Sequence, residues 1–224
     1  MSAESGSSSL LPEDARISLI IRGSAESGLG NYDLALKHLS TARNAMDQQI
    51  VIVDWYWRMQ LQSSLTEMWL AKGDLKQARI EAETFLEVSL VTAERTWQAL
   101  AWDANARIAM AQRDLERADE CVKNALSTME GFEVPVAAWR VHATTAELCR
   151  GMEKSKEAVH QRELSRATIL KLADSLPAEE PLLKTFLAAP LVRQVLGTGE
   201  PPSGARSRTP TKRVKLVGKR SSPP

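Results

Sequence analysis

The sequence predicts an all-α protein made of about four stacked helical hairpins and a short C-terminal helical cap. Its middle part is rich in Ala, Leu, Glu, Arg and Gln, which favour helices, and no alternating strand pattern persists. Residues 92–130 show the arrangement most clearly, because their apolar side chains recur at helical spacing on either side of a break at residues 112–114. Neither of these two helices can bury its apolar stripe alone, so the pair requires further hairpins beside it.

The order of the elements follows from the glycines, prolines and capping residues along the chain. We expect residues 1–12 to be disordered because they are Ser-rich, and the helical repeat domain to occupy residues 13–198. Asp74 and Asp114 each follow a helix end and are expected N-caps, as is Thr92 at the start of the central pair. The predicted helices span approximately residues 15–28, 31–47, 50–72, 74–90, 92–111, 114–130, 135–151, 154–173, 182–188 and 191–196.

An internal repeat of about 40 residues underlies these hairpins. Each second helix carries an alanine in its first turn, at Ala35, Ala78, Ala118 and Ala158, with spacings of 43, 40 and 40 residues. Twelve residues before these alanines lie four small residues, Gly23, Thr66, Ala106 and Ala146. Two helices that cross closely need small residues at the contact, because bulkier side chains would push the axes beyond the usual 8–10 Å or so. The repeat therefore predicts where the two helices of each hairpin cross.

The turns inside the hairpins resemble those of a known family. Gly30–Asn31 and Gly73–Asp74 occupy equivalent positions, and residues 64–85 are most similar to a tetratricopeptide repeat, with a small residue, a Gly-Asp turn and an alanine in the family's order. The resemblance covers residues 15–172 and implies a right-handed α-α superhelix, or solenoid, that binds protein partners on its concave face. The chain departs from the family because its period exceeds the usual length of about 34 residues. In addition, no proline closes a second helix, and the last two turns lack the glycine.

Residues 163–196 carry a second resemblance, to the C-terminal repeat regions of large bacterial signalling ATPases and cyclase-fused regulators. Their order is a helix, Ser-Leu-Pro, a short acidic stretch, Phe-Leu, a proline and an apolar end. The resemblance implies either the terminal array of such a protein or a free-standing relative, because this chain holds none of the catalytic modules. We expect the segment to cap the open face of the last hairpin.

No sequence pattern indicates catalysis, and we expect neither enzymatic activity nor a cofactor. Residues 28–30, Gly-Leu-Gly, end a helix rather than follow a strand, so they do not resemble a phosphate-binding loop. His142 and Cys149 lie seven residues apart on one helix face, but no further ligands accompany them, and we expect no metal site. The six tryptophans are expected to be core or ridge residues rather than a ligand cage.

The cysteines and the hydropathy pattern indicate a cytoplasmic protein. Cys121 and Cys149 are the only cysteines, and both lie in apolar helical contexts. We therefore expect buried free thiols, as is usual in a reducing compartment. No apolar stretch approaches the roughly 20 residues of a membrane span, and no signal peptide is evident, so we expect no membrane association.

The tetratricopeptide resemblance assigns partner binding to one arc of the first helices. Positions that flank the small crossing residues would line the concave face. These positions hold Gln60, Ser63, Glu67, Leu100, Asp103, Arg107, Met110, Arg140, Ala143, Glu147 and Arg150. Arg107, Arg140 and Arg150 would form a cationic strip inside a groove, which suits an acidic or carboxylate-bearing segment of a protein partner. The alternative interpretation is an ordinary solvated helix surface.

The C-terminal residues 199–224 are rich in Pro, Ser and Gly, and we expect a disordered basic tail. Residues 201–224 contain seven basic and no acidic residues, so the rest of a chain with net charge +1 carries −6. The tail cations that could contact nucleic acid are Lys212, Arg213, Lys215, Lys219 and Arg220. The tail could equally dock on the acidic remainder of its own chain.

Two functions therefore remain open. The first is a protein-protein interaction scaffold that binds a peptide or domain of a signalling or regulatory partner on its concave face. The second is a nucleic-acid-associated regulator that uses the basic tail. No feature of the sequence indicates an oligomeric state.

Overall fold

The computed structural model describes residues 12–49, 51–177 and 179–197, and these residues form ten α-helices and no strand. In chain order the helices are α1 (Pro12–Gly28), α2 (Tyr32–Gln48), α3 (Asp54–Lys72), α4 (Leu75–Leu90), α5 (Arg95–Ala111), α6 (Leu115–Met129), α7 (Pro135–Gly151), α8 (Ser155–Asp174), α9 (Pro181–Ala188) and α10 (Pro190–Leu196). The all-α fold class is therefore confirmed. The segments predicted to be disordered, residues 1–12 apart from Pro12 and residues 199–224, lie outside the described residues.

The first eight helices pack as four consecutive hairpins, as the repeat predicts. The helices of each pair, α1–α2, α3–α4, α5–α6 and α7–α8, contact each other along their length. The first helices α1, α3, α5 and α7 also contact one another in sequence. Outside their own hairpins, α2, α4 and α6 contact the first helix of the next hairpin. The first helices therefore form an inner layer and the second helices an outer layer. The short helices α9 and α10 pack on α8 and cap the array.

Small residues lie where the helices of each hairpin cross. Gly23 shows the reason, because a Cβ atom at this position would lie 2.6 Å from Cγ of Leu39 on α2. The equivalent small residues of α3, α5 and α7 are buried, and so are the alanines in the first turns of α2, α4 and α6. Ala158 on α8 is only half-buried. It belongs to the last hairpin, where no following first helix covers it.

All four hairpin turns have the same backbone geometry. Gly30 and Gly73 adopt left-handed φ angles of 81° and 84°, which glycine tolerates best. Arg113 and Glu153 occupy the equivalent positions and also have positive φ angles, of 65° and 60°. In each turn the amide of the next residue donates to the carbonyl five residues earlier, which closes the preceding helix. The two turns that lack glycine are therefore equivalent to the two that have it.

The predicted helix caps are correct at two positions and wrong at one. Asp74 and Asp114 cap α4 and α6, because each carboxylate accepts a hydrogen bond from the backbone amide three residues later. Thr92 is not the N-cap of α5, which begins at Arg95. Its hydroxyl donates to a carbonyl at the end of α4 and accepts from the amide two residues later. Thr92 therefore stabilises the connection between the hairpins instead of starting the helix.

Candidate partner-binding groove

The inner layer presents a surface formed by α3, α5 and α7, which we call the inner groove. The nine side chains predicted to bind a partner all belong to these three helices. They are Gln60, Ser63 and Glu67 on α3, Asp103, Arg107 and Met110 on α5, and Arg140, Glu147 and Arg150 on α7. Glu67, Arg107 and Glu147 each follow the small crossing residue of their hairpin directly. The repeat therefore places charges of alternating sign at equivalent positions of successive helices.

Arg107 forms a direct ion pair between two hairpins. Its two terminal nitrogens donate to the two carboxylate oxygens of Glu67, and Nη2 lies 2.8 Å from Oε2. This bidentate arrangement fixes both side chains and links α5 to α3. Burial acts to raise the pKa of Glu67, but the adjacent Arg107 guanidinium outweighs it and holds the pKa below its ordinary value. Arg107 is therefore engaged within the protein rather than free in the groove.

Asp103 lies beneath the surface of the groove. Its side chain is only 3% exposed, and one carboxylate oxygen lies 3.8 Å from Nη1 of Arg107. Its Oδ1 atom is buried and accepts no hydrogen bond from any residue that the structure describes. Burial raises the pKa of Asp103 above its usual value, and Arg107 offsets this effect only in part. Asp103 is therefore a buried carboxyl beneath the groove surface, close to Arg107 but not available to contact a ligand.

The cations that face a ligand most directly belong to α7. Arg140 stacks on the ring of Trp139, with 5.1 Å between the guanidinium carbon and the ring centroid. Its Nε atom is buried without a hydrogen-bond partner, and no carboxylate in the described part of the chain forms a direct ion pair with it. Its charge still reaches the two carboxylates of the groove, because it acts to lower the pKa of both Glu67 and Asp103. Arg150 is exposed and lies 3.8 Å from Glu147, which is a weak surface contact. Two of the three arginines of the predicted strip therefore offer positive charge.

The cap closes the C-terminal end of the inner groove. Gln194 on α10 donates a hydrogen bond of 2.9 Å to the carboxylate of Glu147. Two small depressions of about 80 and 40 Å³ lie between α7 and α10, and Leu191 lines both. Arg150 lines the larger depression and Arg140 the smaller. A ligand that binds along α7 would therefore also contact the cap.

The groove residues of the cap were missed by sequence reasoning. The apolar pattern after Pro190 predicts a helix, but it does not show which face of α7 this helix covers. That placement depends on the path of the chain through α9. A specific signal for Leu191 and Gln194 is absent from the local sequence, because both residues act through contacts with a helix about 40 residues earlier.

The remaining predicted contacts lie nearer the N-terminal part of the groove. Gln60 is half-buried, and its Nε2 atom lies 3.4 Å from Oγ of Ser64 on the same helix. Ser63 is partly exposed. Met110 packs on the apolar cluster that includes Ala118. This part of the groove is therefore polar and nearly neutral, since Glu67 balances the charge of α5.

The histidine and the two cysteines that were candidates for metal binding or reactivity have surroundings typical of residues that stabilise the fold. His142 Nδ1 lies 2.7 Å from Oε1 of Gln161, and burial lowers the pKa of His142 although this hydrogen bond acts in the opposite direction. Cys121 and Cys149 are buried free thiols, as predicted, and burial raises the pKa of both. Among the residues that the structure describes, no cluster of His, Cys, Asp and Glu side chains could hold a metal ion. No helix within residues 12–49, 51–177 and 179–197 combines the length and apolar character needed to cross a membrane.

The tail cations predicted to contact nucleic acid lie outside the described residues. No model of a known protein family, no curated protein and no solved structure matches the chain. The functional interpretation therefore depends on the geometry of the hairpin array and of the inner groove.

Proposed function

We propose that the protein is a non-catalytic interaction scaffold of the tetratricopeptide type, which binds an acidic segment of a signalling or regulatory protein in the inner groove. The observation that carries the proposal is Arg140, a half-buried cation that forms no direct ion pair with any residue that the structure describes, with the exposed Arg150 on the same helix. A carboxylate from a partner would pair with the Arg140 guanidinium through charge-assisted hydrogen bonds, which are stronger than those between neutral groups.

The repeat geometry supports the family assignment. Small residues at each crossing, a left-handed residue in every hairpin turn and an inner layer of first helices agree with stacked tetratricopeptide hairpins. The resemblance of residues 163–196 to the C-terminal regions of bacterial signalling ATPases supports a regulatory partner. It also agrees with the cap formed by α9 and α10.

The charge distribution supports binding near the C-terminal end of the groove. Glu67 would repel an acidic segment over α3, and it already neutralises Arg107. On α7, Arg140 and Arg150 lie on either side of Glu147, whose carboxylate accepts from Gln194. An acidic segment would therefore be attracted to α7 and would end against the cap.

Peptide selection followed by charge reversal tests this proposal. A display library of random twelve-residue peptides is selected on the full-length protein, and the Kd of enriched peptides is measured by fluorescence anisotropy. We expect enrichment of Asp and Glu. Arg140→Glu and Arg150→Glu should each weaken binding at least about tenfold, because hydrogen bonds to charged groups contribute about 1.5–3 kcal/mol.

The matched control is Arg166→Glu, which reverses an exposed arginine on the outer-layer helix α8. This variant should bind as the original protein does, and thermal melting should show that all three variants are folded. Equal weakening by Arg166→Glu, or enrichment of peptides without acidic residues, would contradict the proposal.

A second candidate function is nucleic-acid binding through the basic tail, which the seven cations and absence of acids in residues 201–224 favour. Titration of labelled DNA and RNA with the full chain and with residues 1–200 distinguishes the two functions. Salt-sensitive binding that disappears on truncation would support the tail, whereas peptide binding that survives truncation would support the groove.

A further inference from the structure

A larger cavity lies beneath the cap, and we call it the cap pocket. It has a volume of about 480 Å³, lies between α7, the end of α8 and the two cap helices, and is open to solvent on one side. Trp139, Leu176 and Phe186 are among the largest side chains in its walls. Arg140 and Ser175 are the polar exceptions among the described residues that line it. A pocket of this size and character is typical of sites that bind apolar groups.

The roof of the cap pocket is the weakly anchored helix α9. None of its residues is buried, and Leu182 is 57% exposed. Phe186 connects the helix to the array through an edge-to-face contact with Trp139, with 6.5 Å between the ring centroids. The apolar side of α9 therefore covers the pocket without filling it. An apolar group that enters the pocket would pack between α9 and the rest of the array.

The cap pocket is continuous with the inner groove. Arg140 and Leu191 line both the cap pocket and the small depression beside Asp103. The Arg140 side chain therefore lies between a polar groove and an apolar cavity. If an acidic residue of a bound peptide pairs with Arg140, the residue next to it in the peptide lies at the entrance of the cap pocket.

We infer that the cap pocket binds one bulky apolar side chain, such as Leu, Met or Phe, from the partner segment whose adjacent carboxylate pairs with Arg140. This inference rests on the proposed function and adds a sequence preference to it, an acidic residue beside an apolar anchor. Apolar walls favour such a side chain over water, which would find few polar partners there. Buried anchors of this kind commonly contribute most of the affinity of an interface.

The charge at the entrance argues against the basic tail of the same chain as the occupant. Residues 201–224 contain seven cations and no acid, so Arg140 would repel them. The entrance instead selects a ligand that carries both a negative charge and an apolar group. The rest of such a partner segment can lie along the inner groove, because the groove and the cap pocket share Arg140 and Leu191.

The test uses the full-length protein and the strongest acidic peptide from the display selection, labelled with fluorescein. Anisotropy gives the Kd of this peptide and of versions in which each apolar residue is replaced by alanine. One apolar position next to an Asp or Glu should weaken binding about tenfold or more when replaced, because the side chain loses its buried environment. The other apolar positions should change the Kd much less.

Variants of the protein locate this effect in the cap pocket. Val136→Trp fills the pocket from a position that is 52% exposed, and it should weaken the original peptide about tenfold but leave the alanine version unchanged. Val159→Trp, at an exposed position on α8 outside the pocket, is the matched control. Leu182→Ser provides a second variant, because it removes an exposed pocket wall without disturbing a buried residue.

The outcomes distinguish the pocket from the groove. If Arg150→Glu weakens binding but Val136→Trp, Leu182→Ser and every apolar replacement do not, the inference is overturned and the proposed function stands. If no substitution in the protein or the peptide changes the Kd, both the inference and the proposed function are overturned. Displacement by dodecanoate of a peptide that has no apolar anchor would identify a fatty acid as the occupant and overturn the inference. If light scattering shows a dimer and Val136→Trp abolishes it, the occupant of the cap pocket is a second copy of this chain, and the inference is again overturned.

Discussion

Replacing Arg113 with glycine is expected to raise the free energy of unfolding by about 0.5–1 kcal/mol. The left-handed conformation costs a non-glycine residue about 1–2 kcal/mol, while glycine loses about 0.5–1 kcal/mol more through backbone entropy. The Arg113 side chain is exposed and forms no hydrogen bond or ion pair with any described residue, so its removal breaks no contact. Glu153 has the same backbone geometry and is also exposed. The double variant should therefore gain about 1–2 kcal/mol.

Calorimetry and urea unfolding measure this gain, and for a domain of this size 1 kcal/mol corresponds to about 2–4 °C in Tm. Gln112→Gly is the matched control, because Gln112 precedes Arg113 but has a right-handed φ of −81°. Glycine there should cost about 0.5–1 kcal/mol. Gly73→Ala reverses the change at an equivalent turn and should destabilise by about 1 kcal/mol. Equal losses of Tm for Arg113→Gly and Gln112→Gly would refute the reasoning.

Other substitutions test the packing and the charges of the array. Gly23→Ala should destabilise by about 1–3 kcal/mol because its Cβ would overlap the leucine that crosses it, whereas Gly28→Ala has open space and should be neutral or stabilising in thermal melts. Glu67→Gln should lower Tm at neutral pH, and this loss of Tm should shrink at acidic pH, as the pH falls below the ordinary carboxyl pKa. The folded-state pKa of Glu67 is lowered by Arg107, so its contribution is present above the ordinary carboxyl pKa and is lost as the pH falls through the folded value; an equal effect at both pH values would contradict the pairing. The protein should lose stability as the pH falls below about 6.5, because burial lowers the folded-state pKa of His142 and protonation then favours the unfolded chain. His142→Gln should reduce that slope in melting curves, and an unchanged slope would assign it to other groups.

The order of the hairpins could be predicted because local signals determine it. Asp74 and Asp114 satisfy backbone amides within their own first turns, so residue type and position suffice to locate the helix starts. The crossing points also depend on residues of one hairpin, which are close in sequence. Thr92 shows the limit of such reasoning, because its hydroxyl could cap a helix but instead bonds within the preceding connection.

Contacts between hairpins could not be predicted in the same way. Glu67 and Arg107 are 40 residues apart, and their pairing depends on how each hairpin is rotated relative to the next. Arg107 therefore looks like a free cation in the sequence, although the structure pairs it. Counting positions places Asp103 on the groove arc, but neighbouring helices bury it. The cap pocket exists because α9 packs on the array without burying any of its residues, and no periodic pattern in the sequence predicts this.

Hydrogen–deuterium exchange of the full chain with and without the selected acidic peptide tests the central claim most directly, because it locates the contact without any substitution. Binding along α7 and the cap should slow exchange in Pro135–Gly151, Pro181–Ala188 and Pro190–Leu196, and should leave Leu115–Met129 in the outer layer unchanged. Protection confined to the outer-layer helices or to residues 199–224 would contradict the assignment of the inner groove as the binding site.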